Sequence, residues 1–230
     1  MKLITGIYVL ISLFMAISVA AQRPADINQT DANGRKTGYW EARHSNGSVR
    51  YSGRFHNDKP IGEFRYYYDN GALRAINLFS NNGLRASHTA FSPNGTRIAE
   101  GLYFEQKKDS TWLFYSDVDG VLISIEEYKN DKAHGKSITL YPGTEQAAEL
   151  VNYFEGKRNG EWIKYYEDGS VLNTGFYKDD FLHGPVTFYH PNGKIHIQGR
   201  YQEGLKIGLW QTYDEDGNLI EEEIYKERGF

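Results

Sequence analysis

The sequence predicts an all-β protein: an elongated, twisted, single-layer antiparallel sheet of eight stacked β-hairpin repeats with a period of 24–25 residues. Three observations carry this. Gly accounts for 24 of 230 residues and aromatics for 15%, led by 18 Tyr and 12 Phe. That mixture suits half-buried strands joined by tight turns and not helices. Turn dipeptides recur at a fixed spacing, and two aromatic columns recur in phase with them.

The chain opens with Lys2 and an uncharged apolar run from Leu3 to Ala20, closed by the small residues Ser18-Val19-Ala20-Ala21 before Gln22. This is the pattern of an export signal with cleavage near Ala21. At about 18 residues the run is at the short edge of what a spanning helix needs. Residues 1–21 are therefore expected to be a signal peptide, and the mature protein to be exported, periplasmic or extracellular. Residues 22–37 form a polar lead-in. Its end, Asn33-Gly34-Arg35-Lys36-Thr37, looks like a connector and is expected to cap the first sheet edge.

From residue 38 to residue 230 the units begin at Gly38, Gly62, Ala86, Ser110, Gly135, Gly160, Gly184 and Gly208. The first column is the turn dipeptide: Asn46-Gly47, Asn70-Gly71, Asn94-Gly95, Asp119-Gly120, Asp168-Gly169, Asn192-Gly193 and Asp216-Gly217, with Pro142-Gly143 in the fifth unit. Asn-Gly and Asp-Gly tolerate the positive φ of hairpin turns. The second column holds all four tryptophans, Trp40, Trp112, Trp162 and Trp210, each two residues after a unit start. Phe64, His88, Ser137 and Val186 fill it elsewhere. The third is an aromatic seven residues before the next start: Phe55, Phe79, Tyr103, Tyr128, Tyr153, Tyr177 and Tyr201, with Tyr225 as its equivalent in the last unit.

Each unit then reads as a first strand, a turn, a second strand and a polar connector. Short connections make consecutive strands antiparallel neighbours. Two registers are open. A two-residue Asn-Gly turn sets Trp162 opposite Gly175 and Trp40 opposite Gly53, so that a ring covers bare backbone. A longer loop with a bulge shifts pairing by one and sets Tyr165 opposite Val171 and Tyr213 opposite Leu219. Sixteen strands about 4.8 Å apart would make a ribbon roughly 75 Å long. The last residues, with Glu221, Glu222, Glu223, Lys226, Glu227 and Arg228, suit an exposed edge that resists pairing with another chain.

Gly160-Glu-Trp-Ile-Lys-Tyr-Tyr-Glu-Asp-Gly169, the later Gly175-Phe-Tyr177 and Gly208-Leu-Trp-Gln-Thr-Tyr-Asp-Glu-Asp-Gly217 resemble MORN repeats of the bacterial variant class. The resemblance covers residues 38–230 and is strongest in units two, six, seven and eight. It implies stacked hairpins in an elongated sheet and a scaffold role. It also brings the antitoxin components under which some members of the class are catalogued, and the phospholipid contact proposed for other MORN proteins.

Chemistry is sparse. With no cysteine there is no disulfide, thiol nucleophile or cysteine zinc site. A net charge of −4 argues against nucleic acid. No serine-nucleophile elbow, phosphate-binding glycine loop or His-Glu-x-x-His pattern occurs. His134 and His183 recur in connectors two units apart, about 20 Å, too far to share a metal. Asp214, Asp216, Gly217 and Glu223, like Asp117, Asp119, Gly120 and Glu126, match part of an EF-hand spacing, but the Asp-Gly turn explains the match. The sequons at Asn46 and Asn94 likewise fall on turns, and a third lies at Asn28.

No enzyme, metal or cofactor is expected. Tyr67, Phe91, Tyr115, Tyr165, Tyr189 and Tyr213, five residues after their unit starts, face away from the Trp column by strand alternation. They are candidate partner-facing aromatics; the competing reading has them pack on neighbouring hairpins and hold the ribbon together. The function expected is a non-catalytic exported scaffold for an unidentified protein or cell-envelope component. The alternatives are an antitoxin-like or immunity-like inhibitor and a module for peripheral membrane or glycan contact.

Overall fold

A computed structural model describes residues 26–226; the apolar leader and the last four residues lie outside them. The described chain is one open antiparallel sheet. Its eight hairpins are Lys36–Arg43 with Val49–His56, Lys59–Tyr67 with Leu73–Ser80, Arg85–Phe91 with Arg97–Phe104, and Lys107–Tyr115 with Leu122–Lys129. Then follow Lys132–Leu140 with Ala147–Phe154, Lys157–Tyr165 with Val171–Lys178, Phe181–Leu182 and Gly184–Tyr189 with Ile195–Gln202, and Leu205–Tyr213 with Leu219–Tyr225. Each strand pairs with the next in sequence, within and between hairpins. Helical structure is limited, among the described residues, to a single 3₁₀ turn at Asn81–Gly83.

The two registers left open by the sequence are both present in one hairpin. Trp40 pairs with Gly53 and Trp162 with Gly175, while Tyr165 pairs with Val171 and Tyr213 with Leu219. One extra residue on the second strand, a bulge, separates the two zones. The turn differs accordingly from a two-residue Asn-Gly turn. In hairpin one the His44 amide donates to the Ser48 carbonyl and the Gly47 amide to the His44 carbonyl, so five residues close the loop. Gly47 alone takes a positive φ, +86°. Asn46 serves otherwise: its Oδ1 accepts the Ser48 amide. Units four and five are one residue longer because their loops are: the closing bonds run from Ser116 to Val121 and from Tyr141 to Gln146.

The two-residue turns of positive φ sit in the connectors. Asn57-Asp58, Glu105-Gln106, Asn130-Asp131 and Asp179-Asp180 all have both φ between 48° and 73°, the requirement of a type I′ turn. The unit-start glycines also have positive φ (Gly62 +65°, Gly208 +63°), and at Gly38, Gly62, Gly184 and Gly208 a Cβ would meet nothing within 4 Å, whereas at Gly135 and Gly160 it would meet Glu127 and Asn152. Conformation, not room, selects glycine at those four open positions. Ser110 holds the same conformation, φ +61°, without that freedom.

Candidate binding surface

Most of the buried rings lie on one face of the sheet; on the other, Tyr115 and Leu140 are buried, each at 9% exposure. Phe64, Trp112, Trp162, Val186 and Trp210, all from the second column, are buried on the first face, Trp112 to 1% exposure. The third column meets them edge-on: Phe55 and Phe79 flank Phe64 at 5.1 and 5.2 Å, Tyr103 meets Trp112 at 5.0 Å, and Tyr201 meets Trp210 at 5.1 Å. Edge-to-face contacts of this kind add roughly 0.5–1.5 kcal/mol each to the burial.

The glycines opposite the second column are covered as expected, but mostly by another ring. Phe64 lies over Gly53, Trp112 over Gly101 and Trp210 over Gly199, each ring coming from the unit after its glycine. At Gly175 the ring is Trp162 of the same hairpin, joined by Val186 of the next. Ring-over-glycine contacts therefore lock unit to unit more than strand to strand.

A cation accompanies each tryptophan, a pattern the sequence analysis missed. Two residues before the starts of the four Trp units stand Lys36, Lys108, Arg158 and Lys206; the other four units carry Pro60, Leu84, Ala133 and Leu182. The Nζ atoms of Lys36, Lys108 and Lys206 lie 4.6, 4.6 and 4.3 Å from the centres of Trp40, Trp112 and Trp210, and Arg158 lies 4.2 Å from Tyr177. Burial lowers the pKa of the Lys108 ammonium. The connector Asp58, Asp131 and Asp180 accept the amides of Lys36, Lys108 and Arg158. The signal was the co-occurrence of Trp with a cation four residues earlier. The Trp face is thus occupied by its own rings and cations.

The opposite face carries the six candidate aromatics. Of the six candidate aromatics there, Tyr115 is buried at 9% exposure, and Tyr67, Phe91, Tyr165, Tyr189 and Tyr213 are half-buried. Their backbone is anchored by another overlooked column, the residue after them in each preceding unit. His44 Nε2 meets the Tyr67 carbonyl, and the hydroxyls of Tyr68, Tyr141 and Tyr166 donate to the carbonyls of Phe91, Tyr165 and Tyr189. His190 Nε2 meets the Tyr213 carbonyl at 2.9 Å. The Tyr115 hydroxyl donates to Glu100 Oε1, and burial followed by that bond pushes its pKa well up.

Beside these rings runs a row of branched aliphatic residues, also unanticipated. Leu113, Ile125, Ile138, Leu150 and Ile163 stand opposite one another on five successive strands of units four, five and six, and all are half-buried. Toward the turns the pairs Tyr115–Leu122, Leu140–Ala147 and Tyr165–Val171 continue it. In units one, seven and eight the same row is polar: Glu41–Ser52, Thr187–Gln198 and Gln211–Glu222.

The model of the family described as MORN repeat variant matches residues 60–81, 158–179, 182–203 and 206–227. Four of the eight units match the MORN repeat variant. Each match begins two residues before a unit start, so the MORN match and the hairpin boundaries are in phase, in units two, six, seven and eight. The MORN repeat is generally non-enzymatic and suggests a scaffold for protein or membrane interaction. No curated protein matches the chain.

Solved structures resemble this chain only slightly. A TcdB2-TccC3-Cdc42 structure shares 11% identity over 81% of this chain and 14% of that one, with a TM-score of 0.19. An alternansucrase in complex with isomaltononaose shares 16% over 80% and 16%, with a TM-score of 0.15. A protein with unknown function from Bacteroides fragilis NCTC 9343 shares 9% over 84% and 94%, with a TM-score of 0.12. The chain spans about a seventh of the length of the first two.

No group of three or more His, Asp or Glu side chains able to hold a metal occurs among the described residues. Asp214 Oδ1 is taken by the amides of Asp216 and Asn218. His190 and His196 stack at 4.3 Å as a pair. The two best-defined concavities are open hollows of about 240 and 290 Å³, one over units two to four and one over units one and two.

Proposed function

We propose that this protein is an exported, non-catalytic scaffold whose face opposite the tryptophans binds another protein of the cell envelope. The observation that carries the reading is the asymmetry of the sheet. One face is filled by rings and cations from its own units, while the other presents half-buried tyrosines and an aliphatic row with no covering layer among the described residues. A single-layer sheet with one unpacked apolar face offers the area and the rigidity that protein recognition uses. Export is supported by the uncharged run from Leu3 to Ala20 and the small residues at its end.

A photo-crosslinking residue at Tyr189 or Tyr67, compared with one at the Trp-face position Lys164, tests this in the native host. The expected result is a discrete protein adduct in the exported fraction from the first two sites only, reduced by Tyr165→Ala. Equal labelling from both faces, or an intact mass that retains residues 1–21, would count against it.

A further inference from the structure

We infer that the aliphatic row of units four to six is a self-association surface, and that its occupant is a second copy of this chain. The inference goes beyond the binding of an envelope partner, and it leaves the tyrosines at both ends of the ribbon free for that partner.

Three features select a second copy. First, the patch has the anatomy of an interface. Its centre is Leu113, Ile125, Ile138 and Leu150, with no charge among them, and charged residues border it. Second, it lies at the middle of the eight-unit array, where a face-to-face copy makes contact while the ends twist away.

Third, the border is self-complementary in charge. Glu127 and Lys136 stand side by side on adjacent strands at the middle of the row, both exposed, with the Glu127 carboxylate accepting the Lys136 amide at 3.1 Å. A two-fold axis between these strands sets Ile125 against Ile138 and Leu113 against Leu150 of the second copy. The same operation sets each Glu127 against the other Lys136, so opposite charges meet twice. A partner of one charge sign would satisfy only one of the two.

Size sets the expected strength. The four strands that the axis superposes, about 4.8 Å apart and roughly 20 Å long at the contact, give about 400 Å² per copy, or about 800 Å² in all. This is the size of a weak, transient interface, so a dimer dissociating at about 100 μM is expected.

Sedimentation equilibrium of the exported chain from about 10 μM to 1 mM reads this directly. Ile138→Asp is expected to weaken the dimer at least tenfold. Because that variant could disturb folding, the exposed pair supplies a second test. Glu127→Lys and Lys136→Glu should each weaken association about tenfold with unchanged circular dichroism, and the double charge swap should restore it to within about threefold. A chain that stays monomeric up to about 1 mM, single swaps that leave the dissociation constant unchanged, or a double swap no better than the singles would overturn the inference. Capture of an envelope protein by a monomeric variant would leave the scaffold reading standing, so the two fail separately.

Discussion

Gly199 lies beneath the indole of Trp210, and a methyl group added there would fall inside the ring. Because Trp210 is 4% exposed and wedged between Tyr201 and Tyr225, it has no room to withdraw. Gly199→Ala should cost roughly 2–3 kcal/mol in urea denaturation, the upper range for overpacking. Gly193→Ala, on a turn with open space, should act only through its φ of +81° and cost about 1 kcal/mol. Equal costs would mean that the ring is not seated on the glycine. His88 supplies a second residue-scale test. Burial, and then the positive charges of Lys108 and Arg74, hold its imidazole down to about 4. An unfolded chain binds that proton near pH 6.5. Between those values the unfolded state carries more protons, so stability falls as pH drops from about 6.5 to about 4 and is unaffected above. The loss is on the order of 2 kcal/mol after allowance for partial exposure. His88→Phe, the residue type that unit two places there, should flatten the midpoint of thermal unfolding over this window.

At the scale of the hairpin, the connectors carry the stringent turns. Glu105 and Gln106 hold φ of 50° and 65°, a conformation that Asn-Gly adopts far more readily. Replacing the pair by Asn-Gly should raise stability by about 1–2 kcal/mol in chemical denaturation, whereas the same exchange at Asp168-Gly169, where only the glycine has positive φ, should change little. The strands, the repeat boundaries and the in-phase aromatic columns were legible in the sequence because period-2 patterning and turn residues are local signals. The assignment of turn types was not. Asn-Gly serves both a two-residue turn and a five-residue loop closed by a glycine, and only the bulge at Leu172, opposite Lys164 and Tyr165, reconciles the two registers. The ring that covers Gly53 was likewise misassigned, since its owner, Phe64, lies eleven residues ahead in the next unit. The aliphatic row was hidden for a related reason. Leu113, Ile125, Ile138, Leu150 and Ile163 are separated by 12 or 13 residues and become neighbours only once every register is fixed.

Across the whole molecule, every pairing joins strands that are neighbours in sequence, and no late element folds back over an early one among the described residues. Stability in such an array is close to a sum of unit terms and neighbour terms. The interfaces are not equal. The four Trp units carry a ring and a cation, whereas unit five offers only Ser137 in the ring position and faces Glu126 of unit four. The ribbon is therefore weakest between Trp112 and Trp162. On the far side of that gap, Val151, Trp162, Val186 and Trp210 form one continuous cluster. A lesion on the near side should spread locally and stop there. Trp112→Ala removes the most buried side chain of unit four, at a cost of about 3–5 kcal/mol to that region. Hydrogen exchange should then show protection lost in units three to five and kept in units seven and eight. Uniform loss along all eight hairpins would mean that the array unfolds as one cooperative block, and that the weak junction at Ser137 does not divide it.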